Sequence, residues 1–246
     1  MVWRVWLGTL SWAASAPPWD PETPRPEAGG SWGRSDEVPP ARGFVDDVPG
    51  DLPDGTRSAV PPTLVITAVA HVPNAGRTVT PDCKVPGNRL LTLGTAVATF
   101  GGSHVAQVHD VTGAGPVPAW DAASPERFRT LHRAIMDDLV VACHDVSEGG
   151  LAVAVAEMAI GGDLGVDMSG WPTIAADDES LGTFLYAETP GRFVIEVAPE
   201  VVGAIRDRFG HDVTEVGVVT ADQRLVLPDG NAIEMAALRD AWTRVP

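Results

Sequence analysis

The chain has 246 residues, of which 44% are hydrophobic and 6% aromatic, so it is long enough to bury a sizeable core. Its formal net charge of -16 argues against nucleic acid as a partner, because phosphate backbones attract basic surfaces. No apolar run reaches the roughly 18 residues that a membrane-spanning helix needs, so no contact with a membrane is predicted.

The cysteines, Cys83 and Cys143, are the two in the chain. They form neither a C-x-x-C motif nor a cluster with histidine, so they indicate neither a disulfide framework nor a zinc site. We interpret them as half-buried thiols of a cytoplasmic protein.

Residues 1–43 differ from the remainder of the chain. They contain five of the eight tryptophans, and from Ala13 onwards no apolar periodicity supports a core element. The Pro/Gly/Ser/Arg-rich composition predicts a disordered or loosely attached segment. The alternative is a secretory signal peptide, in which Arg4 precedes the apolar stretch Val5–Trp12 and a small-residue cleavage site.

The next elements are read from turn residues and apolar patterns. Pro53-Asp54-Gly55 predicts a turn, and the unbroken β-branched stretch Thr63–Val72 predicts a buried strand. A second strand is expected at Asn88–Thr95, followed by a short helical stretch that opens at Gly101 and ends near His109.

An amphipathic helix is predicted to begin at Ser124 as N-cap, with Pro125 at the first helical position. Its apolar stripe consists of Phe128, Leu131, Ile135 and Leu139. A short buried strand, Val140–Cys143, follows directly. The helix therefore packs against the core that this strand enters.

The C-terminal half continues with a polar loop, His144–Gly149, and a helix, Gly150–Ile160, closed by Gly161-Gly162. The remaining predicted elements are a strand at Gly191–Ala198, a helix from Pro199, strands in Val213–Thr220 and Gln223–Gly230, and a closing helix at Ala232–Trp242. Helices and strands are mixed without strict βαβ alternation. The prediction is a three-layer α+β domain from residue 83 to the end.

The polar loop has the features of a phosphate site. A helix that starts after a strand presents free N–H groups with a partial positive charge. Gly149 and Gly150 allow backbone to approach a ligand closely, and Ser147 offers a hydroxyl. Asp145 is a hard oxygen donor of the kind that Mg²⁺ prefers.

Each of these residues also has a purely structural interpretation. Ser147 could serve only as a helix N-cap, Glu148 as a solvated charge near the helix start, and His144 as a satisfied, half-buried histidine. Asp145 could accept backbone N–H groups instead of binding a cation. The residues alone lead to a possible Mg-phosphate loop and leave these alternatives open.

The stretch "HDVSEGGLAVAVAEMAIGGDLG" resembles the C-terminal domain of phosphoribosylformylglycinamidine synthase, a member of the aminoimidazole ribonucleotide synthetase superfamily. Further stretches agree in the family's order: "AVPPTLVITAVAHVPNAGRTVTPDCKVPGNRLLTLG", "GGSHVAQVH", "LHRAIMDDLVVACHD" and "ETPGRFVIEVAPE". The resemblance covers about residues 44–220, which is most of the chain.

The resemblance implies a C–N ligase of de novo purine biosynthesis. Such an enzyme uses ATP, Mg²⁺ and an amide nitrogen from glutamine to convert formylglycinamide ribonucleotide to the amidine. The implied partners are the remaining synthetase domains, a glutaminase subunit or domain, and the phosphorylated ribonucleotide substrate. The expected localisation is cytoplasmic.

The resemblance also implies site residues. Asp145 matches an aspartate that binds Mg²⁺ at an auxiliary site for ATP or ADP, and Ser147 matches a serine that touches this nucleotide. Gly149 and Gly150 belong to the same motif. No catalytic residue carries over, because the family's catalytic histidine and ATP-binding lysine lie in a first half that has no counterpart in this sequence.

From the same resemblance we expect three segments. Residues 1–43 are unmatched, and disordered or out-of-frame; residues 44–82 are a remnant of the preceding synthetase domain; residues 83–246 are the C-terminal domain. The expected chain is a fragment that is inactive alone. The alternatives are a non-catalytic nucleotide-binding or structural module, or another superfamily enzyme such as a small-molecule kinase. Glu188 and Arg192 are either functional or charges that flank a turn.

Overall fold

The chain consists of two compact units, Met1–His71 and Val72–Pro246. The computed structural model describes residues 50–51, 57–58, 72, 74–111, 115–169 and 178–244. In the first unit, the strands β1 (Gly50–Asp51) and β2 (Arg57–Ser58) pair antiparallel. The turn predicted at residues 53–55 lies outside the described residues. The predictions for residues 1–43 and, apart from Val72, for the strand at residues 63–72 lie outside the described residues. The three-segment division stays a prediction.

The second unit is built on one sheet, which comprises seven strands in the part of the chain that the structure describes. They are β3 (Arg89–Leu93), β4 (Ala142–Val146), β5 (Gly165–Asp167), β6 (Arg192–Val197), β7 (Val213–Thr220), β8 (Arg224–Val226) and β9 (Ala232–Glu234). Their order is β4-β6-β3-β7-β5-β8-β9. The pair β5–β8 is parallel, and the other pairs of neighbours are antiparallel.

Helices cover both faces of this sheet. They are α1 (His104–Val108), α2 (Ser124–Met136), α3 (Gly150–Gly162), α4 (Asp178–Tyr186), α5 (Val202–Phe209) and α6 (Met235–Thr243). Single 3-10 turns lie at Ala75–Arg77, Pro199–Val201 and Gly210–Asp212. None of the helices in the described ranges has the length and apolar character needed to cross a membrane.

Side-chain alternation along the central strands creates two cores. Leu90 of β3 and Val194 of β6 face a core that includes α3, α4 and α6. The next residues along the same strands, Leu91 and Ile195, face a second core formed with α2 and α5. Successive residues of a strand point to opposite faces, so a continuous apolar strand fills both cores. The predicted three-layer α+β architecture is confirmed.

The strand that carries the polar motif extends further than predicted. β4 runs from Ala142 to Val146, so His144 and Asp145 lie in a strand and their assignment to a loop was wrong. The cause is pairing with β6, which continues in register until Val146 is opposite Arg192. The loop itself is therefore only three residues long.

The predicted amphipathic helix is correct, but its details differ. Ala123 is the N-cap, and Ser124 is the first helical residue without a side-chain cap bond. The helix ends at Met136 because Asp138 adopts a left-handed conformation (φ 57°), which places Leu139 beyond it. The predicted stripe was wrong at Phe128, which is 37% exposed.

Three further differences concern short elements. α3 includes Gly161-Gly162 and ends at Gly162, and its C-cap, Asp163, is left-handed (φ 56°). Residues 232–234 form β9 instead of the first turn of the closing helix, because Ile233 pairs with Leu225 of β8. β5 and α4 were not predicted, since a three-residue strand and a short helix containing Gly182 give weak patterns.

Candidate functional site

The α3 loop, which we define as Ser147–Gly149, joins β4 to α3 at one end of the sheet. Among the described strands β4 is outermost, with β6 on one side and a single parallel bridge to Thr80 on the other. α3 has 13 residues, and its N-terminus carries the positive end of the helix dipole. The loop therefore has the strand-to-helix position at which anions bind in many proteins.

Asp145 lies at the end of β4, two residues before Ser147. Its side chain is 50% exposed, and its Oδ1 lies 3.5 Å from Nδ1 of His144. In the described part of the chain, no backbone N–H donates to this carboxylate, so the alternative that it caps backbone has no support there. The Asp145 carboxylate is available as an oxygen donor.

A Mg²⁺ ion at Asp145 needs further oxygen ligands. Within the described ranges, no group of three or more His, Cys, Asp or Glu side chains could hold a metal. Mg²⁺ usually keeps several waters and binds through one or two carboxylates together with substrate phosphates. The half-exposed carboxylate of Asp145 thus fits a Mg²⁺ ion that arrives with a nucleotide and does not fit an all-protein metal cage.

His144, on the opposite face of β4, is buried at 9% exposure. Its Nε2 lies 3.0 Å from Oε2 of Glu157 on α3, and its Nδ1 lies 2.7 Å from the backbone oxygen of Asp145. Burial acts to lower the pKa of His144, but the hydrogen bonds to Glu157 and to the Asp145 carbonyl outweigh it, and the pKa is raised. Both ring nitrogens face acceptors, which favours the imidazolium.

We predict a pH dependence of stability from this contact. The folded pKa of His144 is raised above its unfolded value of about 6.5, so the contribution of the ion pair is complete below that pH and is lost as pH rises through the folded pKa. Thermal unfolding in EDTA from pH 5.5 to pH 9 should therefore show a larger stability deficit for His144→Gln at the acidic end (about pH 5.5–6.5). His132→Gln, at an exposed histidine of α2, is the control. A pH-independent deficit for His144→Gln would contradict the prediction.

Gly149 (φ +79°) and Gly150 (φ +72°) are both left-handed. A Cβ at Gly150 would lie 2.6 Å from the backbone oxygen of Leu185, and one at Gly149 would lie 2.4 Å from Cγ2 of Val153. Glycine is therefore required for close packing of the loop against the end of α4 as well as for its backbone conformation.

Ser147 does not act as the N-cap of α3. Gly149 occupies that position, without a side-chain cap bond, and the backbone oxygen of Ser147 accepts from the N–H of Gly150 at 3.0 Å. The interpretation of Ser147 as an N-cap was wrong. Its hydroxyl makes no hydrogen bond to any described residue and stays a predicted nucleotide contact.

Glu188 is a site residue whose role the sequence left open. Its Oε1 accepts from the backbone N–H of Gly149 and from that of His104, each at 2.8 Å. Its side chain is 16% exposed, and the ring Nδ1 of His104 lies 3.5 Å from the same oxygen. Glu188 therefore connects the α3 loop to the start of α1, and one amide of the predicted anion site already has a carboxylate partner.

Arg192, in the same "ETPGRF" segment, is buried at 1% exposure. Its Nη1 donates to the backbone oxygen of Ala187 at 3.1 Å, and its guanidinium lies 5.4 Å from the ring centroid of Phe184. Nε and Nη2 have no hydrogen-bond partner among the described residues. Burial, together with the charge of Arg127, lowers the pKa of Arg192 to about 10.

Arg127 of α2 is also buried, but it is fully paired. Its Nη2 lies 2.8 Å from Oδ1 of Asp212 and 2.6 Å from Oδ2 of Asp121. Its Nη1 donates to the hydroxyl of Ser124 and to the backbone oxygen of Gly191. Sequence periodicity did not identify this position, because a charged residue is not expected on the buried side of a helix.

The thiols are not candidates for nucleophiles. Burial is the main cause that raises the pKa of Cys83 and the pKa of Cys143 to about 12. Both remain protonated at neutral pH. The prediction of half-buried thiols is confirmed for Cys143 and was wrong for Cys83, which is 2% exposed.

Comparisons with known proteins cover most of the second unit. Residues 85–230 match the family described as AIR synthase related protein, C-terminal domain. The subunit PurL of phosphoribosylformylglycinamidine synthase is 28% identical over 189 residues in Lactobacillus helveticus and 37% identical over 177 residues in Symbiobacterium thermophilum. These alignments cover 75% and 69% of this chain, but only 24% and 22% of the relatives. The chain spans about a quarter of the length of the curated relatives it matches.

Solved structures agree in fold. Thermotoga maritima PurL complexed with FGAR superimposes with a TM-score of 0.54 at 16% identity, over 67% of this chain and 30% of that one. A second T. maritima structure, phosphoribosylformylglycinamidine synthase II, gives a TM-score of 0.52 at 15% identity, over 67% of this chain and 28% of that one. The sequence matches and this shared fold confirm the resemblance inferred from the motifs.

Proposed function

Since this chain belongs to the family of AIR synthase related proteins, with which it shares the C-terminal domain, we propose that it supplies that domain to a phosphoribosylformylglycinamidine synthase. The proposed reaction is the ATP-dependent conversion of formylglycinamide ribonucleotide to the amidine, with glutamine as the nitrogen donor. The match to the PurL relatives over 69–75% of this chain supports the proposal.

Within this reaction we assign the chain a binding role. Asp145, Ser147, Gly149 and Gly150 would hold Mg²⁺ and the phosphates of ATP or ADP at the α3 loop. The observation that carries this assignment is the half-exposed Asp145 carboxylate near the end of β4, two residues before the loop that leads into a 13-residue helix. A bound Mg²⁺ ion would offset the negative charge of the phosphates.

The catalytic residues, the ribonucleotide and the ammonia source would belong to other parts of the enzyme. T. maritima PurL has been solved with ATP, ADP and FGAR, and as a PurLQS assembly. By analogy we propose that this domain works with the remaining synthetase domains and with a glutaminase. Neither a catalytic histidine nor an ATP-binding lysine of the family is carried over to this sequence.

We expect Asp145→Asn to abolish Mg-dependent ADP binding and to change the melting temperature by less than about 2 °C, because the exposed carboxylate makes no backbone hydrogen bond among the described residues. Isothermal titration of the 246-residue chain with ADP, with and without Mg²⁺, measures the first effect. Asp222→Asn, at a carboxylate that is 70% exposed, is the control. A fall in stability of about 1–2 kcal/mol without a change in affinity would show that Asp145 is structural.

A second candidate function is a non-catalytic nucleotide-binding module. The observation on which this candidate rests is the half-exposed Asp145 carboxylate, which would bind Mg²⁺ together with a nucleotide. A nucleotide-binding module and a small-molecule kinase both predict binding of Mg·ADP. Only the kinase predicts ATP turnover by the purified chain alone. Measurement of ADP formation from ATP separates them.

A further inference from the structure

From the contacts of its carboxylate, we infer that Glu188 is a positioning residue that sets the conformation of the α3 loop for nucleotide phosphates. The inference rests on the proposed function of this loop, and it adds a residue that lies outside the loop and outside its sequence motif. Glu188 would not touch the ligand. It would act through the backbone of Gly149.

The first observation is the convergence of two backbone donors on one oxygen. The N–H of Gly149 and the N–H of His104 both lie 2.8 Å from Oε1 of Glu188, although they are 39 and 84 residues away along the chain. Hydrogen bonds to an ionised acceptor are short and about twice as strong as neutral ones. A carboxylate at the positive end of α3 is further stabilised by the helix dipole.

The second observation is that the α3 loop has one other backbone hydrogen bond among the described residues. Its internal contact is the turn bond from the N–H of Gly150 to the oxygen of Ser147 at 3.0 Å. Gly149 and Gly150 have φ of +79° and +72°, and glycine reaches many other conformations at low cost. An external carboxylate that binds the first of these glycines therefore selects one loop conformation.

The third observation is how the chain segment around Glu188 is held in place. Gly150 packs so tightly on the end of α4 that a Cβ would lie 2.6 Å from the backbone oxygen of Leu185. Thr189, which follows Glu188 in the chain, is 2% exposed, and its hydroxyl accepts a hydrogen bond from the N–H of Val97 at 2.9 Å. Thr189 thus holds the same segment but makes no hydrogen bond to the α3 loop among the described residues, which makes it a matched control.

The test compares Glu188→Gln, Glu188→Ala and Thr189→Val in the 246-residue chain, at a temperature where all variants are folded. We expect Glu188→Ala to weaken binding of Mg·ADP about tenfold or more, since the Gly149 amide loses a charged acceptor. Glu188→Gln, which keeps one acceptor oxygen, should give a smaller loss. Thr189→Val should bind within about twofold of the parent chain even where its melting temperature falls as much.

A second readout does not depend on the ligand. The amide of Gly149 should shift in a ¹H–¹⁵N spectrum and exchange faster with solvent in Glu188→Ala, and it should be unchanged in Thr189→Val and in Asp145→Asn. Equal affinities of Glu188→Ala and the parent chain would overturn the inference while leaving nucleotide binding intact. Lack of Mg·ADP binding by the parent chain would overturn the proposed function, and an unchanged Gly149 amide in Glu188→Ala would overturn the positioning role separately.

Discussion

Arg127→Met is expected to lower the free energy of unfolding by about 2–4 kcal/mol. The arginine side chain is 2% exposed and holds two carboxylates, so its removal leaves Asp121 and Asp212 without their cation. Breaking a fully buried pair costs about 3–5 kcal/mol. The expected value is lower here, because these carboxylates are 39% and 28% exposed and water can partly replace the arginine.

Arg192→Met provides the contrasting measurement. This arginine is equally buried, but only Nη1 has a hydrogen bond, while Nε and Nη2 have none among the described residues. Replacement of a buried charge that has no carboxylate partner among the described residues by an apolar side chain of similar length removes a desolvation cost, which offsets the loss of its contacts with Ala187 and Phe184. We expect the free energy of unfolding to stay within about 1 kcal/mol of the parent value or to rise.

Chemical denaturation of the two variants in parallel tests both expectations. A large loss in Arg192→Met, equal to that in Arg127→Met, would show that Nε and Nη2 have partners in solution. A negligible loss in Arg127→Met would show that its ion pairs with Asp121 and Asp212 contribute little beyond surface pairs.

Glu196→Gln is expected to cost about 2–4 kcal/mol. Glu196 of β6 is fully buried, and its carboxylate accepts from the N–H groups of Lys84 and Val85 and from Nδ2 of Asn88, at 2.7–3.0 Å. An amide keeps one acceptor oxygen but directs an NH₂ group at a backbone donor. The turn that leads into β3 then loses the charge that holds it to β6.

Urea denaturation monitored by circular dichroism measures this cost. Glu215→Gln on β7 is the control, because that carboxylate is 28% exposed and pairs, among the described residues, with the surface arginines Arg89 and Arg206. Its expected cost is below about 1 kcal/mol. Equal losses for the two variants would contradict the assignment of Glu196 as the anchor of this turn.

Local sequence patterns were sufficient where an element repeats one pattern over several residues. The strands β3, β6 and β7 are rich in β-branched and aliphatic residues, and α2 has a 13-residue amphipathic pattern, so all four were predicted close to their observed bounds. The three-layer arrangement followed from the same patterns. The end of β4 did not, because its length depends on pairing with a strand almost 50 residues later.

The residues of the candidate site also differ in whether a local sequence pattern predicts them. Asp145, Ser147, Gly149 and Gly150 form a contiguous motif, and the family resemblance identified them together. Glu157 contacts His144, and Glu188 contacts Gly149, each from a different part of the fold. No local sequence pattern predicts such contacts. The burial of Arg127 was missed because a charged side chain is expected on the solvent side of an amphipathic helix.

The pairing of β4 with β6 also restricts how this gene can change. His144 and Asp145 face opposite sides of the sheet, so that His144 contacts Glu157 and the Asp145 carboxylate stays half-exposed, and adjacent strand residues always alternate in this way. Gain or loss of one codon within β4 would exchange their faces, whereas a change of two codons would restore them. Across descendants of this gene, codon substitution in β4 should therefore be far more common than a frame-preserving gap of one residue.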